Sequence, residues 1–66
     1  MNANSVRIIR LSEVIKKTGL SRSTIYTLIK EDNEFPKQIP LASRSMGFLE
    51  SEVNAWIAYK AANRNA

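Results

Sequence analysis

TGLSRSTIYTLIKED, residues 18–32, holds the end of one helix, a tight turn and the start of a second, two-faced helix. Gly19 is the residue type that adopts, without penalty, the left-handed backbone on which many helices terminate. Ser21, two positions on, is a natural N-cap, because its hydroxyl accepts from a first-turn amide that has no partner inside the helix. Leu20 ahead of that cap is placed to staple onto Ile25. At about 100° per residue, Ile25, Leu28 and Ile29 share one arc, and the helix runs to about Asp32. Ser23, Tyr26, Thr27 and Lys30 fall on the other side, with Arg22 at the flank. Upstream, Leu11, Val14 and Ile15 supply the stripe of a first helix of about six or seven residues that starts after Ser12 as N-cap. Glu13 suits the positive end of its dipole, and Lys16 and Lys17 the negative end. Two short helices joined through Thr18-Gly19-Leu20 form a helix-turn-helix pattern over residues 11–32.

The polar side of the second helix has an unusual composition. From Ser21 through Lys30 there is no carboxylate. A helix face that meets only water usually mixes Glu and Lys at i,i+4 spacing, whereas one that meets phosphates excludes acids. Glu31, Asp32 and Glu34 follow only where such a helix would leave a DNA groove. The chain carries ten Lys and Arg against six Asp and Glu, a net charge of +4, with a pI near 9.9. Arg7, Arg10, Lys16, Lys17, Arg22 and Lys30 face Glu13 alone in the first thirty residues, so the positive charge is concentrated in one half. That segregation favours an anionic partner over an evenly solvated basic surface.

Beyond the helix pair, Phe35-Pro36 ends the helical pattern. Gln38-Ile39-Pro40-Leu41 and Met46-Gly47-Phe48-Leu49 read as two short strands around Ala42-Ser43-Arg44-Ser45. Pro40 lacks an amide hydrogen and so belongs on an edge strand. A hairpin over residues 37–49, directly after a recognition helix, has the form of a wing. Arg44 at its tip either touches DNA backbone or minor groove, or is a solvated turn residue. Ser51 is read as the N-cap of a third helix, residues 51–62, with Glu52 near its positive end. Val53, Trp56 and Ile57, at i, i+3 and i+4, predict its buried face and put Trp56 in the core rather than on a base. Val6-Arg7-Ile8-Ile9 has strand character, residues 1–6 read as a disordered arm, and Lys60 to Ala66 as a fraying tail. The expected architecture is mainly α with a small β-hairpin, a winged helix-turn-helix in one domain over residues 1–66.

Composition narrows the chemistry. A chain of 66 residues buries only about 60% of the surface its unfolded form exposes, which leaves room for one small core. With neither Cys nor His present, disulfides, thiolate zinc sites and His-based general bases are excluded. The carboxylates show no metal-loop spacing, and neither glycine belongs to a phosphate-cradling loop. We therefore read no enzyme, no catalytic residue, no metal and no cofactor. No apolar run approaches the roughly 18 residues that cross a bilayer, and MNANSVR does not read as a signal peptide, so the expectation is a cytoplasmic, nucleoid-associated protein without a membrane partner.

Four segments together resemble a known family: RIIRLSEV (7–14), TGLSRSTIYTLIKED (18–32), FPKQIPLASRSMGFLESEV (35–53) and AWI (55–57). Over about residues 7–60 they resemble the AlpA family of prophage regulatory proteins, relatives of small phage excisionases with a MerR-like winged helix-turn-helix. The resemblance implies a double-stranded DNA-binding regulator from a prophage or integrated element. Such proteins activate a nearby integrase gene, act as recombination directionality factors, or do both. It carries DNA contacts over to Arg22, Ser23, Thr24, Tyr26 and Lys30 on the recognition helix and to Arg44 in the wing. Many relatives have a glycine near the wing tip, where this chain has Ala42-Ser43-Arg44-Ser45.

The residues suggest roles. Arg22 reads a guanine edge or clamps a phosphate. Ser23, Thr24 and Thr27 are within reach of phosphates or bases, and Thr24, nearer the core side, also supports the helix start. Tyr26 bonds a phosphate or packs on the wing. Lys30 and Lys37 are read as phosphate contacts that set register. Integrase and RNA polymerase are the candidate protein partners. No heptad or apolar stripe predicts a stable dimer, so the expectation is a monomer in solution that assembles cooperatively on DNA. Two other readings share these features: an excisionase that bends DNA at an attachment site, and a small inhibitor that grips a protein through the helix-turn-helix surface.

Overall fold

The computed structural model describes residues 6–64; of the arm expected over residues 1–6 all but Val6 lies outside them, as do the last two residues of the tail. The chain runs β1 (Ile8–Ile9), α1 (Leu11–Thr18), α2 (Arg22–Glu31), β2 (Ile39–Ala42), β3 (Ser45–Leu49) and α3 (Glu50–Ala62). This mainly helical arrangement with an antiparallel hairpin is compatible with a winged helix-turn-helix. No helix among the described residues is long and apolar enough to cross a membrane.

One fully buried side chain comes from nearly every segment: Ile9 of β1, Val14 of α1, Ile25 of α2, Phe35 of the following loop, Phe48 of β3 and Val53 of α3. Leu11, Ile15, Leu20, Leu28, Ile29, Trp56 and Ile57 pack around them, partly exposed. Burying one such large side chain stabilises by about 1.5–3 kcal/mol, a large share of a small protein's margin. β2 contributes nothing to this core; Pro40, Leu41 and Ala42 are exposed and Ile39 only half-buried. The buried side of the hairpin is thus supplied by β3, through Gly47 and Phe48.

β1 lies inside the Val6–Ile9 stretch of expected strand character and extends the hairpin to a three-stranded sheet, in the order β1-β3-β2 with both pairs antiparallel. Ile8 pairs with Leu49 and Ile9 with Phe48, and the Glu50 amide donates to the Arg7 carbonyl at 2.9 Å. This long-range pairing explains two corrections to the helix starts. The chain passes from β3 into α3 without a loop, so the helix begins at Glu50 with Leu49 as N-cap, and Ser51 lies inside its first turn. Likewise α1 begins at Leu11, directly after β1, with Arg10 as N-cap and no side-chain cap; Glu13 and Val14 donate to the Arg10 carbonyl at 2.9 and 3.1 Å. Ser12 is inside that helix. Eight residues long, α1 exceeds its expected length because Leu11 is drawn onto the core.

At the wing, β2 and β3 close through Ser43-Arg44, a tighter tip than the four residues expected. No non-glycine residue among those described has positive φ. The tip thus forms in ordinary backbone conformations, and the absence of a glycine there imposes no strain. The register shifts between Pro40 and Ala42, leaving Leu41 as the extra residue of a bulge, a device that bends a strand and increases its twist. Pro40 lies on the sheet's edge strand, where its missing amide hydrogen does no harm.

Candidate nucleic-acid interface

The turn before α2 is held by local bonds. Gly19 sits at φ 74°, and its amide donates to the Ile15 carbonyl at 2.8 Å. Thr18 Oγ1 donates to the Val14 carbonyl at 2.8 Å and accepts from the Leu20 amide at 3.2 Å. Ser21 then caps α2, accepting from the Thr24 amide at 3.2 Å, while its own hydroxyl donates to Thr24 Oγ1 at 2.9 Å. Hydrogen bonds thus close both sides of the turn, and Val14 of α1 and Ile25 of α2 meet in one core.

That connection aims one face of α2 outward. Ile25 is fully buried and Leu28 and Ile29 partly so, while Arg22, Ser23, Thr24, Tyr26, Thr27 and Lys30 are all exposed. At 100° per residue, Arg22, Tyr26, Lys30, Ser23 and Thr27 sweep about 140° on the side away from the core arc. Thr24 stands at the other border, where its amide and hydroxyl serve the cap. The first turn of α2 holds no acid, so its free amides and positive dipole end meet the surroundings without a competing carboxylate.

Hydrogen bonds sort the hydroxyls. Thr27 Oγ1 donates to the Ser23 carbonyl at 3.1 Å, which commits its only hydrogen to the helix. Ser23 has only a long contact, 3.4 Å, to Ser21 Oγ, and is the freer donor. Tyr26, the one aromatic on α2, is 44% exposed. The Lys37 ammonium donates to the Ile29 carbonyl at 2.7 Å and so caps the C-terminal end of α2; two of its three hydrogens stay free. Arg44 is exposed at the wing tip, on a separate element from the α2 face, and no hydrogen bond or ion pair among the described residues links the two.

The basic half is partly neutralised from within. Glu50 at the start of α3 draws Arg7 Nε to 3.7 Å and Lys17 Nζ to 3.5 Å, and Lys17 also donates to Asn54 Oδ1 at 3.2 Å. In the sequence Arg7 and Lys17 stand with the field-forming charges, because nothing local marks a partner more than thirty residues away. Arg10, Lys16, Arg22, Lys30 and Arg44 make no ion pair among the described residues. At the far end of α2 one acid serves the fold: Asp32 Oδ1 accepts from the Glu34 amide at 2.8 Å, in the turn that leads to the buried Phe35 and Pro36.

Residues 7–61 match the family described as the prophage CP4-57 regulatory protein, AlpA. The chain belongs to the AlpA family of prophage regulatory proteins. It is 39% identical over 64 residues to the DNA-binding transcriptional activator AlpA of Escherichia coli (strain K12), covering 89% of this chain and 91% of that relative. It is 48% identical over 58 residues to "Uncharacterized protein ORF88" of Enterobacteria phage P4, covering 88% of this chain and 65% of that protein's length. No solved structure gives a significant match. The AlpA match takes in α1, α2, the wing and nearly all of α3, so it covers every element that positions the outward face of α2.

Proposed function

We propose that this AlpA-family protein is a sequence-specific DNA-binding transcriptional regulator of a prophage or integrative element, activating an integrase or excision gene from the cytoplasm. The observation that carries this reading is the outward face of α2, acid-free from Ser21 to Lys30, exposed along its length and preceded by the Gly19 turn and the Ser21 cap. A ten-residue helix fits the major groove, with its N-terminal residues leading. Arg22 is the base reader, Ser23, Thr24 and Tyr26 are contacts around it, and Lys30 and Lys37 hold phosphates. Thr27 lies on the same face. The wing carries Arg44 to the neighbouring backbone or minor groove, and DNA brings successive monomers together.

The test is a footprint of the purified protein across the element that carries its gene, run with an integrase-promoter reporter and an excision assay. Protection at the promoter with loss of transcription on deletion is the expected outcome. Protection confined to an attachment site, with excision alone lost, assigns the protein instead to recombination directionality. With three or four phosphates neutralised, log K against log salt falls with a slope of about −3 to −4. Arg22→Ala lowers affinity by about 1–3 kcal/mol and relaxes sequence preference. A flat salt response on the protected site refutes the electrostatic footing of the reading.

A further inference from the structure

The wing is a second stretch without acids. From Phe35 through Leu49 the chain holds no carboxylate, and its cations are Lys37 at the base and Arg44 at the tip. Lys37 is engaged with the Ile29 carbonyl, whereas Arg44 makes no ion pair among the described residues. The large side chains exposed around that tip are apolar. Leu41 is 47% exposed and Met46 46%, and neither belongs to the core. Pro40, opposite Met46, and Ala42, opposite Ser45, are exposed as well.

These groups stand on both sides of the hairpin. Leu41 Cδ1 reaches over Gly47, 3.1 Å from the place a Cβ there would take. Met46 precedes Gly47 in β3, and neighbouring strand residues point to opposite faces, so Met46 lies on the other side. Leu41 is the extra residue of the bulge, a device that re-aims a side chain. At about 3.3 Å per residue, both lie within roughly 10 Å of Arg44 along the chain, so they meet whatever Arg44 enters. A cation in front with an apolar shoulder on each face matches a minor groove. Its acceptors and negative potential draw a guanidinium, and apolar side chains are accepted between its base steps. Phosphates offer nothing to Leu41 or Met46. Two strands stand about 4.8 Å apart before side chains are counted, and an undistorted minor groove is about 6 Å wide. Arg44 by itself fits; the shoulders enter only if the groove opens.

We propose that Leu41 and Met46 are DNA-contacting residues, apolar shoulders that follow Arg44 into the minor groove, wedge it open and kink the duplex beside the α2 contact. The inference rests on the proposed DNA recognition by α2 and assigns the wing its share of it. Arg44 supplies attraction, and the shoulders favour base steps that open easily, such as TA and CA.

The test uses the full chain on a duplex with one footprinted site and a dye at each end, so that energy transfer reports bending. The wild type should shorten the end-to-end distance. Leu41→Thr combined with Met46→Thr should lose most of that change and weaken binding by about fivefold or more, while keeping the site preference set by α2. Both positions are exposed and outside the core, so the double variant should melt with the wild type. The DNA side needs no variant. Diaminopurine for adenine in the flanking base pairs adds an amino group to the minor-groove floor and leaves the major-groove edge unchanged; it should weaken the wild type severalfold and the double variant little. A bound duplex that stays straight, bending retained by the double variant, or indifference to diaminopurine overturns the proposal. A loss seen only on DNA with adjacent sites assigns the shoulders to contacts between copies of the chain, and also overturns it. Arg22→Ala separates the two readings. If it weakens binding while the double variant does not, only the wedge fails; if binding is indifferent to Arg22, the α2 reading beneath it fails as well.

Discussion

Gly47→Ala tests whether the three-stranded sheet is packed as described. Gly47 lies in β3, opposite Ile39 and under the side chains of both flanking strands. A methyl group at this position runs into Ile8 Cγ2, stands 3.1 Å from Leu41 Cδ1 and 3.4 Å from the Ile9 carbonyl oxygen. Leu41 yields easily, because Cδ1 is the end of a flexible side chain on an exposed strand. Ile8 does not: Cγ2 is bonded directly to Cβ, and a β-branched residue has few alternatives at χ1. Either Ile8 leaves its rotamer or β1 moves away from β3. Overpacking of this kind costs about 1–3 kcal/mol, partly offset by about 0.4–1 kcal/mol from the reduced freedom of the unfolded chain. The net loss is about 1–2 kcal/mol, and for a chain of this size each kcal/mol lowers Tm by about 4–8 °C, so a drop of about 5–15 °C follows. Thermal unfolding followed through the single tryptophan, Trp56, gives the readout. Ile8→Ala in the Gly47→Ala background should recover part of the loss, giving a coupling energy that neither single change predicts. A Gly47→Ala protein that melts within about 2 °C of the original would refute the placement of β1 over β3.

Other substitutions probe separate parts of the argument. Gly19→Ala should destabilise by about 1 kcal/mol, and Gly19→Asn by less, because nothing lies within 4 Å of the added carbon and only the left-handed backbone objects; equal melting of all three proteins contradicts that account. Glu50→Gln should cost under about 1 kcal/mol, and the difference should shrink with added salt, since its two ion pairs are long and partly exposed. A loss several times larger would mean that the Arg7–Glu50–Lys17 cluster, not the core, holds β1 and α1 to α3. On DNA, Ser23→Ala should weaken binding by about 0.5–1.5 kcal/mol while Thr27→Val changes little, because the Thr27 hydrogen is already given to the Ser23 carbonyl. The opposite order in a gel-shift titration would show that Thr27 turns its hydroxyl outward when bound.

Much of the candidate interface is written locally. Gly19, Ser21 and the Ile25-Leu28-Ile29 arc lie within eleven consecutive residues, and each acts through its own backbone conformation, its own hydroxyl or the 3.6-residue repeat. For that reason the turn, the cap and the outward face of α2 were legible without any knowledge of the rest of the chain. The edge position of Pro40 and the packing of Val53 followed in the same way, from a missing amide hydrogen and from helical spacing.

What required the tertiary structure is what depends on residues distant in sequence. The two-residue strand β1 has too little pattern to announce a partner about forty positions away, yet its pairing with β3 sets where α1 and α3 begin and displaces Ser12 and Ser51 from the caps they resemble. A side-chain cap adds about 1 kcal/mol, less than the burial of Leu11 and the ladder that carries β3 straight into Glu50. The same holds for charge: Arg7 and Lys17 turn to Glu50, and Lys37 to the Ile29 carbonyl, because folding brings those groups within reach. The sequence alone determined a helix-turn-helix with an acid-free face, since its signals span one or two helical turns. Only the fold decided which basic groups stay free for a partner, because that depends on which acids and carbonyls arrive beside them.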